Sequence, residues 1–213
     1  MKIEALFPYI LPDVPGAPDV TVEQALRLSA IEFCVKTTAW DEIQDPMTLI
    51  DEQNEYEVEV PTGSRVVVVK NVWAINRELK PVTMTELQRL IPNWQVAQST
   101  LPTYYNAPRD QGSLTVYPIP NEAQGAEITI RACYAPTLSA TTLPDAMINR
   151  YLEPIVSGAK ARLMTAPGKG WSNPALSAYH QKQFDDGVVR AKIDVIHDKT
   201  QGVVAVKPIR FGL

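Results

Sequence analysis

PDAMINRYLEPIVSGAKARLMTAPGKGWSNPALSAYHQKQFDDGVVRAK, residues Pro144 to Lys192, is the stretch that decides the fold. Ile148, Tyr151, Leu152, Ile155, Val156, Ala159 and Leu163 recur at helical spacing behind the start signal Pro144-Asp145, predicting a helix over 144–165. Pro154 interrupts it. An interior proline costs about 3 kcal/mol, because it removes a backbone donor and clashes with the carbonyl four residues back, so a kink or a fresh start is expected there. Gly158, Ala159 and Ala161 leave a shallow groove in which another helix can approach closely. The linker Ala166 to Asn173 holds Gly168, Gly170 and Trp171. Asn173 is placed to cap a second helix with Pro174 at its first position; Leu176, Tyr179, Phe184, Val188 and Ala191 carry its apolar face through 173–196.

Outward from this pair, the chain ends in an apolar segment too short to fold alone: Val203, Val204, Val206, Pro208, Ile209, Arg210, Phe211 and Leu213 need a surface to lie on. At the other end Pro8, Pro12, Pro15 and Pro18 predict an extended arm with few internal hydrogen bonds. Thr21-Val22-Glu23-Gln24 then has capping-box spacing, and Val22, Ala25, Leu26, Ala30 and Phe33 predict an amphipathic helix over 21–38.

Between the helices the period changes to two. Tyr56, Val58 and Val60 alternate with glutamates, Pro61 to Ser64 makes a turn, and Val66 to Val69 read as a strand buried on both faces, which together predict a hairpin. Leu114 and Val116 predict a second hairpin with Ile128, Ile130, Ala132 and Tyr134. Thr83 to Glu86 opens a short helix between the two. The expected fold is therefore α+β: a helical body interrupted by a small antiparallel module. The divisions are 1–54 for the N-terminal arm and first helix, 55–136 for the β module, 137–201 for the C-terminal helices and 202–213 for the C-terminal arm.

A hydrophobic content of 45% with 21% charged residues suits a folded chain and argues against wholesale disorder. No apolar run approaches the roughly 20 residues that span a bilayer, and the first residues lack a secretory pattern, so no membrane partner is expected and the chain reads as made in the cytosol. Residues 1–60 hold 3 basic and 13 acidic side chains, whereas 61–213 hold 17 basic and 11 acidic ones. Such a chain could pair end to side with copies of itself, although solvated faces of unequal charge explain the counts equally well. The basic residues are scattered, which disfavours nucleic acid as a principal ligand.

Chemistry is otherwise quiet. His180 and His197 share no turn and no metal-ligand spacing, and Gly168-Lys169-Gly170 lacks both the spacing and the preceding strand of a phosphate loop. Asp45, Asp51 and Glu52 do not match a calcium loop and read as a solvated acidic loop. Cys34 and Cys133 have no CxxC partner and read as buried thiols. No nucleophile elbow is present, so neither a catalytic residue, a metal nor a cofactor is expected. Tyr104-Tyr105 with Trp73 and Trp94 could form an aromatic platform for sugars or bases; core packing or an interface anchor is the preferred reading.

The succession of elements resembles the head-to-tail adaptor (connector) proteins of tailed bacteriophages, including the podovirus tail tubular proteins. The resemblance is carried by Leu143-Pro144-Asp145, Tyr151-Leu152-Glu153, Gly158-Ala159 with Arg162-Leu163-Met164, Pro167-Gly168-Lys169 with Trp171, and Pro174-Ala175 before Tyr179 and Phe184. A looser match runs from Ala25 to Phe33 through Trp40, Tyr56 to Pro61 with Gly63, and Thr103-Tyr104-Tyr105 before Tyr117-Pro118. Pro154 departs from the uninterrupted helix of that pattern.

The resemblance implies a non-catalytic virion protein at the head–tail interface: a homo-oligomeric ring, usually dodecameric, docked on the portal protein and joined to a tail nozzle or tail tube protein. It implies that genomic DNA passes through the lumen without sequence-specific binding, that Gly158, Ala159, Ala161 and Trp171 serve subunit packing, and that the arm from Val203 to Leu213 reaches the portal. An acidic lumen would let DNA slide. The alternative is a non-catalytic accessory virion protein whose β module binds glycan or a host surface.

Overall fold

The computed structural model describes residues 1–123 and 125–200. In chain order the elements are α1 (Asp19–Thr37), β1 (Asp41–Ile43), β2 (Met47–Thr48), β3 (Glu55–Glu57), β4 (Ser64–Ala74), β5 (Arg77–Glu78), β6 (Lys80–Pro81) and α2 (Met84–Leu90). There follow β7 (Gln98–Ser99), β8 (Tyr104–Asn106), β9 (Ser113–Tyr117), β10 (Ile119–Pro120), β11 (Glu127–Pro136), α3 (Asp145–Met164) and α4 (Pro174–Ile196). The fold is α+β.

Helices α1, α3 and α4 pack on one another, and α1 also lies against β11. Their meeting point is aromatic: the Phe33 ring lies 5.1 Å from Tyr151 and 6.3 Å from Phe184, both in tilted or edge-on geometries that suit ring quadrupoles. The Ser29 hydroxyl donates to the Ile155 carbonyl at 2.7 Å and ties α1 to α3. Two glycines permit this closeness. A Cβ on Gly158 would stand 2.3 Å from Ser29 Oγ and 2.6 Å from Phe184 Cδ2, and one on Gly187 would stand 2.4 Å from Pro154 Cβ. Helix α3 bends as its proline requires. Tyr151, three residues ahead of Pro154, leaves the helical region at φ −126°, ψ 29°.

Both predicted cap side chains beyond residue 80 engage. Thr83 Oγ1 accepts from the Glu86 amide at 3.2 Å, and Asn173 Oδ1 accepts from the Leu176 amide at 3.1 Å. Replacing Asn173 with alanine is expected to lower stability by about 1 kcal/mol in urea unfolding, and Asn173→Ser should restore most of it. The first helix starts two residues earlier than the capping-box reading, at Asp19 behind Pro18, so Thr21 sits inside its first turn.

Residues 1–18 are not an extended arm. They form 3-10 turns over Ile3–Tyr9 and Leu11–Asp13, with Ile3, Leu6, Ile10 and Val14 buried. Tight 3-10 turns tolerate proline, and those apolar side chains, three or four residues apart, supply the buried face that the prolines concealed. The start of the chain is stitched to the approach of α3 by bonds from the Ile3 amide to the Thr141 carbonyl and from the Leu143 amide to the Met1 carbonyl, at 3.1 and 2.8 Å.

The strands are where expected, but the two hairpins are not. The long strand β4 pairs with β11 from Ser64↔Pro136 to Ala74↔Ile128, while β3 pairs with β9. The first strands of the two predicted hairpins pair with each other, and so do their second strands. Pro61 and Gly63, the latter at φ +76°, turn the chain from one sheet into the next instead of folding it back. The first sheet has the order β1-β11-β4-β5 with β2 on β11, and the second β3-β9-β8-β6. A continuous apolar core runs from the helices into both sheets, and a small second cluster of Val82, Leu87 and Tyr117 lies beneath α2.

Candidate functional site

The small residues of α3 face inward. Gly158, Ala159 and Ala161 are buried within this chain, Gly158 against both α1 and α4. Trp171 is half-buried against the core from the linker, and its indole Nε1 lacks a hydrogen-bond partner among the described residues. The linker is anchored by the Asn173 amide, which donates to the Met164 carbonyl at 3.0 Å, and by the Thr165–Ser177 hydroxyl pair at 2.6 Å.

Val203, Val204, Val206, Pro208, Ile209, Arg210, Phe211 and Leu213 lie outside the described residues. The point from which they depart is well defined. After α4, Asp198 and Lys199 take left-handed φ values of 50° and 57°, and the Lys199 amide donates to the Asp194 carbonyl at 2.7 Å. The turn brings both side chains onto the first sheet. Asp41 of β1, its carboxylate only 5% exposed, accepts from Lys199 and from Arg131 of β11, the latter Nε at 2.7 Å; Lys70 of β4 stands 3.9 Å away and Asp198 accepts from Arg131 at 2.9 Å.

Burial alone would raise the Asp41 carboxyl, but the bonds from Lys199 and Arg131 and the charge of Lys70 outweigh it and hold it below the ordinary 3.8. Asp41→Asn is expected to cost about 1–3 kcal/mol at neutral pH, because Lys199 and Lys70 then lose their carboxylate and Arg131 keeps only Asp198. A lowered folded value means that this contribution is complete above 3.8 and disappears as pH falls through the folded value. Urea unfolding of both proteins at pH 7 and at about pH 2 checks the sign; an equal difference at both would contradict it.

The aromatic residues do not assemble a platform. Tyr105 is buried and donates to the Lys70 carbonyl at 3.2 Å, Trp94 stands edge-on to Tyr117 at 5.7 Å, Tyr104 packs on the small cluster, and Trp73 is half-buried on β4. Asp51 accepts from the Ala123 amide at 2.8 Å and so organises its own loop. Both thiols are buried. Burial pushes Cys34 up to about 12, aided by Cys133, and also raises Cys133, which makes both poor nucleophiles. Among the described residues no cluster of three or more His, Cys, Asp or Glu side chains could hold a metal, and no helix is long and apolar enough to cross a membrane.

One feature escaped the sequence reading: an open groove of about 750 Å³ between α3 and α4. Its lining includes Pro154 and Gly187, which pack on each other, with Tyr151, Asp194, Tyr179 and His180. Burial, helped by the charge of Lys160, lowers His180 below the ordinary imidazole value, and its Nδ1 is shielded without a partner among the described residues. The signal was present in the interior proline and in Gly187, but only their juxtaposition makes a groove.

Over residues 3–207 the chain matches the family model described as SU10 adaptor protein. A comparison with curated proteins finds no match.

Proposed function

We propose, because this chain belongs to the SU10 adaptor protein family, that it is a structural protein of the phage particle that assembles as a ring between portal and tail. The observation that carries this reading is the extent of the match, 3–207, which takes in the helices, the sheets and the start of the C-terminal arm together. In this reading the ring is built of identical subunits, usually twelve, and docks on the portal protein on one side and a tail nozzle or tail tube protein on the other. The DNA channel continues through it without sequence readout. Residues 137–201 with the first helix form the packed body, and 55–136 form a sheet insertion whose core is continuous with the helices. The arm from Val203 to Leu213 makes the portal contact, and Gly158, Ala159, Ala161 and Trp171 keep each subunit rigid enough to repeat around a ring. No membrane takes part.

The physical support is consistent with a scaffold. The helices are locked by two close glycine contacts, which suits a part that must present the same faces in every copy. The strongly acidic first 60 residues and the mildly basic remainder favour attraction between unlike regions of neighbouring copies. Electron microscopy of the purified protein, alone and with portal protein, tests the reading. A ring that appears or sharpens on adding portal is expected; a monomer that ignores portal at micromolar concentrations overturns it.

A further inference from the structure

The alternating run Glu55-Tyr56-Glu57-Val58-Glu59 lies at an open edge of the molecule, because β3 is the outermost strand of the second sheet, whose order is β3-β9-β8-β6. The Val58 amide donates to the Gly112 carbonyl and the Val116 amide to the Asn54 carbonyl, at 2.7 and 2.8 Å, so the backbone of the intervening Glu55 and Glu57 points away from β9. On that side only the Glu55 carbonyl has a partner among the described residues, the Gln53 side chain at 2.8 Å. We propose that this edge is covered by the opposite edge of the same sheet in a second copy, the segment Arg77 to Pro81. The inference rests on the ring reading and names the seam between neighbouring subunits.

Charge, direction and topology agree with that occupant. Glu55, Glu57 and Glu59 are exposed, as are Arg77 and Lys80, and none of these side chains is in an ion pair among the described residues. Arg77 belongs to β5, an edge of the first sheet, and Lys80 to β6, an edge of the second, so one short stretch carries both bases on the side away from β3. The registers Lys80↔Tyr104, Tyr104↔Tyr117 and Glu55↔Thr115 put Lys80 and Glu55 on the same face of the second sheet. The two edges stand about 14 Å apart across that sheet, at the usual strand spacing. β3 and β6 run the same way, so an adjoining copy sets its β3 beside β6 while keeping nearly the same orientation. Repetition of one such contact between unlike surfaces closes a ring. Two β3 edges would instead bring carboxylates together. Pro81 offers no N–H, which limits backbone pairing at the seam and keeps it from becoming an open-ended ladder.

Exchanging the charges in the full-length protein tests the seam. Glu55→Lys with Glu57→Lys makes both edges basic, and Arg77→Glu with Lys80→Glu makes both acidic. Each variant alone is expected to self-associate at least about ten times more weakly than the unaltered protein, by sedimentation and by electron microscopy with portal protein. An equal mixture of the two is expected to recover assembly, because each variant then offers the edge that the other needs. All these positions are exposed, and urea unfolding of each variant shows that the fold persists. A variant that assembles alone as well as the unaltered protein overturns the inference and leaves the ring reading standing, and so does a loss that mixing does not repair. Unaltered protein that never associates, with or without portal, overturns both.

Discussion

Replacing Phe184 by alanine is expected to lower the free energy of unfolding by about 3–5 kcal/mol, enough to leave a domain of ordinary stability marginal. The ring is 1% exposed, meets Phe33 edge-on, and fills the space that Gly158 leaves open between α3 and α4. The backbone around that space cannot collapse easily, since Ser29 and Ile155 hold α1 to α3 by a hydrogen bond. Most of the vacated volume therefore persists as a cavity. Gly158→Ala alone is expected to cost about 1–3 kcal/mol by overpacking. Combined with Phe184→Ala it should cost less than the sum, because the added methyl then occupies volume the ring has left. Ser29 Oγ, the nearer of the two atoms, keeps the compensation partial. Urea unfolding of the four proteins measures the coupling, and strict additivity would show that Phe184 and Gly158 do not share the space described.

Removal of residues 201–213 is expected to weaken portal binding by at least about a hundredfold while leaving the folded body intact. Val203, Val204, Val206, Ile209, Phe211 and Leu213 are the apolar anchors available to the arm. Burying two of them contributes about 3–6 kcal/mol, which corresponds to two to four orders of magnitude in Kd. Val203→Asp with Phe211→Asp should reproduce most of the loss without shortening the chain. Titration of portal protein with the full-length and shortened adaptors, monitored by light scattering or calorimetry, gives the ratio. Equal affinities would remove the arm from the portal contact and move it elsewhere on the body.

Helix positions were legible because their signals are local. Asn173-Pro174 and Thr83 specify caps through side chains that reach only three residues, and Pro154 announces its own kink. Strand positions were equally legible from the alternation at Tyr56, Ile128 and Ile130. Their partners were not. Alternation states which side of a strand is wet, and nothing in Pro61 to Ser64 says whether the chain folds back or crosses to another sheet; the pairing of β4 with β11 joins residues far apart in sequence. The prolines of the first 18 residues were read as excluding regular structure, whereas short 3-10 turns accommodate them and bury Leu6 and Ile10. For the candidate site, the apolar arm was evident from composition. The groove and the Asp41 cluster were not: the first depends on how α3 and α4 pack, and the second joins Asp41 to Lys199, 158 residues away.

The attachment of Asp198 and Lys199 to β1 and β11 also has a mechanical meaning. Tension applied to the arm does not fall first on the end of α4. It is shared by Arg131 and Asp41, and through them enters β1 at the edge of the first sheet and β11 beside it, two strands hydrogen-bonded to each other. A tether rooted in this way passes load to the sheet as well as to α4.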